Sequence, residues 1–243
     1  MPWRRVIIVL LATPIAVIAG FLGYIAFLGR DSSVPSVCRG EVNGGSLERG
    51  RRLPFSGENY RAYSLMGFAL GRTFVHSSVR NAMHGAYNDV ARQRPELRFI
   101  YAETGWPWGG RFAPHASHRN GTAVDFHVPV RDGNGRVAEL PTTIGNHLGY
   151  EIEFDKQGWF GDLRLDFEAM ALHLLALDQA ARQEGIGIKR VIFDVDLQPL
   201  LFATQVGQRL KGRVTFNARQ ATTRHDEHYH VDFDIPCRTM PTT

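Results

Sequence analysis

A chain of 243 residues, 44% hydrophobic and 21% charged, has the make-up of a globular protein and the length for one substantial core or two small ones. The formal net charge is +4, but Arg4 and Arg5 supply two of those charges; with them set aside, the 28 basic residues fall to 26 against 24 acidic ones. That near-neutral balance lacks the concentrated basic footprint of a nucleic-acid binder, and the scattered acids exclude an acidic tail.

Residues 6–29 carry no charge and are dominated by Ile, Leu, Val, Ala and Phe. Their number meets the roughly 20 apolar residues a membrane-spanning helix needs, and Arg4 and Arg5 ahead of them favour a cytoplasmic N-terminus. A cleaved signal peptide has an apolar core of only about 7–15 residues, and no A-x-A site follows at the right place. A buried core helix normally keeps a polar face. The expectation is therefore a single-pass inner-membrane anchor over residues 1–29, with the rest of the chain in the periplasm. Cys38 and Cys237 fit that placement, because two cysteines outside the cytoplasm are more often bonded than free.

Residues 30–57, rich in Ser, Gly, Pro and Arg, read as a stalk, leaving 58–243 as the folded domain. Within it, Val79, Met83, Ala86, Tyr87 and Val90 recur at helical spacing over residues 77–93, and Pro95 marks the stop. Residues 97–101 form a short β-type run that leads into a Gly/Trp/Pro-rich loop. Residues 122–128 read as a strand carrying Asp125, and 131–150 as turns and an irregular insertion. Residues 165–183 give the strongest helix of the domain, 189–195 a buried strand, and 200–210 a second short helix. The last strand, 228–235, carries His228 and His230. Strands and helices mix without a βαβ rhythm, which points to an α+β fold.

Two stretches carry chemistry. The first runs from Gly109 through His115 and His118 to Asp125, and the second is His225-Asp226-Glu227-His228-Tyr229-His230. Imidazole nitrogens and carboxylate oxygens are what a catalytic zinc uses, three from the protein with a fourth position open. His118, Asp125 and His230 can supply the three. Gly121 permits the sharp return between the first two. On a strand His228 shares a face with His230 and is placed to act as general base or to steady an oxyanion. His127 reads as structural, Asp232 and Asp234 as fold or surface carboxylates, and Trp106, Trp108 and Tyr229 as packing residues.

Gly-Gly-Arg-Phe, then His-x-x-His-x-x-Gly and an Asp seven residues after the second His, resembles the penicillin-insensitive murein endopeptidases. His225-x-x-His228-x-His230-Val231 is similar to the same family's closing motif, and weaker similarity extends from about Gly71 to Cys237. The resemblance implies the fold of the lysostaphin, D-Ala-D-Ala metallopeptidase and hedgehog group, a small antiparallel sheet flanked by helices. It also implies zinc on His118, Asp125 and His230, His228 as catalytic partner, and supporting roles for His115 and His225. Glu227, three before His230, resembles the general-base Glu of the D-Ala-D-Ala branch; it can take that role from a turn, whereas in a regular strand it would face away from His228. Residues 131–160 match the family poorly. The implied activity is hydrolysis of D-amino-acid-containing peptide cross-links of peptidoglycan, with a D,D-carboxypeptidase or a catalytically silent wall-binding module as alternatives.

Overall fold

Apolar and polar side chains alternate along residues 123–127 and 228–234. In the computed structural model, which describes residues 17–241, these become β7 (Ala123–His127) and β13 (His228–Asp234). They pair antiparallel, with His228 opposite His127, His230 opposite Asp125 and Asp232 opposite Ala123. Since side chains two apart share a face, Asp125, His127, His228, His230 and Asp232 all lie on one side. The other side carries Val124, Phe126, Tyr229, Val231 and Phe233, all within the main hydrophobic core.

The central sheet has five strands in the order β12 (Gly187–Ile192), β13, β7, β6 (Phe99–Tyr101), β4 (Tyr60–Ala62). Its apolar face packs on α3 (Ser77–Gln93) and α4 (Phe167–Gln183), whose Val79, Met83, Tyr87, Met170, Leu174 and Leu177 share the core with the strands. Fully burying an aliphatic or Phe side chain contributes about 1.5–3 kcal/mol, so this one-sided core leaves the polar face free for chemistry. His76 and Asp166 cap the two helices through their side chains. The remaining helices are α1 (17–28), α2 (Leu65–Ala69), α5 (Gln198–Ala203) and α6 (Gln205–Gln208).

Smaller sheets surround this frame. β1 (Val37–Glu41) and β2 (Gly44–Glu48) form a hairpin, and β3 (Arg51–Arg52) pairs with β5 (Phe74–Val75). β8 (Val130–Arg131), β9 (Val137–Ala138), β10 (Trp159–Phe160) and β11 (Leu163–Leu165) make a four-stranded sheet in the order β10-β11-β8-β9. Within 131–150, the segment expected to be turns and an irregular insertion, only Arg131 and β9 are strand; the rest is turns, irregular chain and a 3₁₀ turn, as expected.

Three expectations are corrected. The central sheet is mixed, not antiparallel: β4 and β6 run parallel, and α3 lies in the crossover that parallel neighbours require. A three-residue β4 gives too little alternation to betray that unit in the sequence. The expected N-terminal transmembrane helix is not found: no helix among the described residues is long and apolar enough to cross a membrane. The described helix, 17–28, rises roughly 18 Å at 1.5 Å per residue, against about 30 Å of hydrocarbon; residues 1–16, the rest of that expectation, lie outside the described residues. The stretch read as a stalk carries β1, β2 and β3, and the unit that holds the sheets begins at Val34.

That N-terminal hairpin is held covalently. Cys38 of β1 is disulfide-bonded to Cys237, and the backbones of Gly40 and Arg238 run alongside, with Gly40 N–H donating to the Arg238 carbonyl at 2.8 Å. Finer boundaries also have local causes. Residues 163–165 join a strand because Asp166 starts α4, accepting from Ala169 N–H at 3.0 Å. The helix expected over 200–210 breaks at Thr204, whose hydroxyl accepts from Gly207 N–H at 2.9 Å and starts a new helix.

Candidate metal centre

Cross-strand partners in an antiparallel pair have Cβ atoms about 4.5–5.5 Å apart, and the β7–β13 register makes His230 and Asp125 such partners. Their side chains meet, with His230 Nδ1 2.7 Å from Asp125 Oδ1. His118 reaches the same oxygen from the loop between β6 and β7, its Nε2 3.2 Å from Asp125 Oδ1. All three are buried, His118 at 0%, Asp125 at 1% and His230 at 3% exposure.

The loop is shaped for this contact. His118 adopts φ +65° and Gly121 φ +75°, the left-handed region that non-glycine residues seldom enter. A Cβ at Gly121 would stand 2.6 Å from Leu47 Cδ2 and 3.0 Å from His76 N, so the return before β7 has room only for glycine. Arg72 supports the outer turn, donating to the Ala113 carbonyl at 3.1 Å while its guanidinium sits 4.1 Å from the Phe112 ring centre.

His118 bears most directly on whether a cation fits here. Its Nδ1–H donates to the Thr104 carbonyl at 3.2 Å, which leaves Nε2 to offer a lone pair. That buried Nε2 has no hydrogen-bond partner among the described residues, although it faces a carboxylate oxygen. Ligand atoms on a tetrahedral zinc stand roughly 3.3 Å apart, given bonds of about 2.0–2.1 Å, and the spacing of His118 and Asp125 matches. The residues present therefore fit a metal ion.

His115 joins them: ligand atoms of His115, His118 and Asp125 all lie within 4.8 Å of one another. Its Nδ1 is 4.0 Å from Asp125 Oδ2, and burial pushes the imidazole down to about 3, so it is neutral. The structure thus sets His118 and His230 against Asp125, while the group whose ligand atoms lie close enough to share an ion is His115, His118 and Asp125, with His115 in ligand position and not only the supporting role implied for it.

His228 projects beside them, Nε2 4.0 Å from Asp125 Oδ2, with burial holding it at about 4. Its other nitrogen shares a 2.7 Å hydrogen bond with Glu227 Oε1. Glu227 precedes β13 and is buried, which pushes its carboxyl up to about 8. Of the two arrangements foreseen for Glu227, the first occurs: it lies in a bend ahead of the regular strand, and there its carboxyl bonds His228 Nδ1. His225 packs at a tilt against His228, 4.5 Å between ring centres, and bonds the Thr223 carbonyl at 2.6 Å, so it touches His228 rather than the ligands.

Burial raises Asp125, but the imidazoles of His118, His228 and His230 gathered around it outweigh that and hold the carboxyl well below its usual range. Burial lowers His230, but Asp125 and Asp232 together lift it to about 10. A divalent cation bound here would take the place of a proton on His230 Nδ1.

Two site residues escaped the sequence reading. Tyr150 donates from Oη to Asp125 Oδ2 at 3.0 Å and packs against His228, ring centres 4.8 Å apart; it follows a 3₁₀ turn, Ile144–Gly149, in the segment that matched the family poorly. Asp232, read as a fold or surface carboxylate, is 3% exposed and bonds His230 Nε2 at 2.8 Å. The strand alternation that aligned His228 with His230 extends to Asp232 and could have revealed it. His127, read as structural, is buried on the same face with neither ring nitrogen hydrogen-bonded among the described residues. Comparison with family models gives no match for this chain, and comparison with curated proteins gives none either.

Proposed function

We propose that this protein is a zinc-dependent peptidase that hydrolyses D-amino-acid-containing peptide cross-links of peptidoglycan. The observation that carries the hydrolase reading is the buried convergence of His118, Asp125 and His230, with His118 Nε2 unpartnered and turned to the Asp125 carboxylate. The substrate class rests on the resemblance of the two His-bearing motifs to murein endopeptidases. The Cys38–Cys237 disulfide supports work in an oxidising compartment such as the periplasm.

His118, Asp125 and His230 would hold the zinc ion, with His115 beside them. Bound there, zinc would supply a Lewis acid for the scissile carbonyl and a water acidified to near neutrality. His228 keeps an imidazole at the same centre, with Nδ1 occupied by Glu227 and Nε2 turned inward. From Nε2 it is placed to steady the oxyanion and, with Glu227 ionised and holding the Nδ1 proton, to act as general base. Glu227 fixes the orientation of that ring. Tyr150 keeps Asp125 Oδ2 engaged, so that Oδ1 is the oxygen presented to His118 and His230.

The test is to incubate the purified chain with intact sacculi, with and without a chelator, and identify released fragments by mass. Cross-linked muropeptides should fall to monomers only when zinc is present. Release of a single terminal D-alanine would mark a carboxypeptidase, and zinc-bound protein that releases nothing would overturn the peptidase reading.

A further inference from the structure

His230 has both ring nitrogens engaged, Nδ1 with Asp125 at 2.7 Å and Nε2 with Asp232 Oδ1 at 2.8 Å. Only one nitrogen of an imidazole can offer a lone pair to a metal while the other keeps a proton, and the partner of the second nitrogen decides which does which. Asp232 lies two residues further along β13 on the same face, so the strand itself aims its carboxylate at Nε2. Its second oxygen is not left to turn: Arg190 on β12, the register partner of Asp232, donates from Nη2 to Oδ2 at 2.6 Å. The chain of contacts runs across three strands, from Arg190 through Asp232 and His230 to Asp125.

We infer that Asp232, clamped by Arg190, is a positioning residue that holds the Nε2 proton of His230 and so commits Nδ1 to the metal. The clamp makes β12, which carries no ligand, part of the centre's support. Asp232 is 4% exposed at its side chain whereas Arg190 is 47% exposed, so the buried carboxylate is anchored from the surface. This inference rests on the zinc reading above but not on the substrate.

The test measures zinc affinity by chelator competition in the full-length chain and in D232N and R190Q. An amide at position 232 can present its NH₂ to Nε2 and reverse the tautomer, and loss of an outer partner of this kind lowers metal affinity about 10–100-fold. D232N is expected to fall in that range, and R190Q, a half-exposed change that leaves Asp232 in place, to fall several-fold. Nitrogen-15 spectra of the zinc-bound wild type should show a protonated Nε2 at His230, a signature that a merely structural role would not produce. Affinity within twofold of wild type in folded D232N overturns the inference. If D232N does not fold, wild-type affinity in R190Q overturns it, as does an unprotonated Nε2. A chain that binds zinc normally but cuts no peptidoglycan defeats the proposed function and leaves this inference standing; unchanged affinity in an active D232N does the reverse.

Discussion

His230 and Asp125 stand 105 residues apart in the chain and 2.7 Å apart in space, because β13 and β7 pair in the register that sets them opposite each other. A metal placed there ties the two strands together from the side away from the hydrophobic core. Binding free energy at such a site adds directly to the stability of the native state, so a saturating metal should raise the melting temperature of this protein, and a chelator should lower it.

Tyr150→Phe keeps the ring and removes the hydroxyl that donates to Asp125 Oδ2. Outer hydrogen bonds to metal ligands are worth about 10–100-fold in affinity or activity. We expect Tyr150→Phe to weaken zinc binding by roughly tenfold with little change in near-ultraviolet circular dichroism. Chelator competition checks this, and an unchanged affinity would mean that Asp125 is held without Tyr150.

Acid sensitivity has a specific contributor in the core. His173 on α4 is 0% exposed, sits among the rings of Tyr87, Phe99 and Phe126, and shares a 2.7 Å hydrogen bond with Tyr229. The titratable groups facing it are Tyr87 on α3 and Tyr229 on β13, both neutral because burial raises them. Burial pushes His173 down to about 3, below its ordinary value near 6.5. The unfolded chain therefore takes up the proton first, and the stability that His173 contributes is complete above pH 6.5 and lost progressively down to pH 3. Between pH 7 and pH 5 this amounts to about 2 kcal/mol at 1.36 kcal/mol per pKa unit. His173→Gln, which keeps an amide for Tyr229, should flatten the pH dependence by that amount in urea titrations; an unaltered slope would assign the acid lability elsewhere.

The disulfide joins residues separated by 199 positions, enclosing nearly all of the described sheets. Removing a bridge of this kind typically costs about 2–5 kcal/mol. Reduction, or paired Cys38→Ser and Cys237→Ser changes, should lower the melting temperature by several degrees or more, measured with and without reductant. The main core lies elsewhere in the unit, so the secondary structure should persist at room temperature.

How much of this could be read from the sequence follows from the range of each signal. The helix at Ser77–Gln93 emerged with its boundaries because apolar spacing and the following Pro95 are local facts. The alternation of 228–234 placed His228 and His230 together for the same reason, and the motif spacing pointed to His118 and Asp125. Long-range facts were hidden: the parallel pairing of β4 with β6 rests on three residues per strand, and Tyr150 reaches Asp125 only through the folding of the 131–160 segment. Glu227 shows the limit most sharply. Its place in a bend before β13 was one of the two readings that spacing allowed, but its bond to His228 Nδ1 was in neither.

The account stands most directly on where a zinc ion goes. Crystals of the protein grown with zinc, with diffraction recorded on both sides of the zinc absorption edge, should show one strong anomalous peak bonded to His118 Nε2, Asp125 Oδ1 and His230 Nδ1. No peak at that position, or a zinc ion held by other residues while these three keep their metal-free contacts, would contradict it.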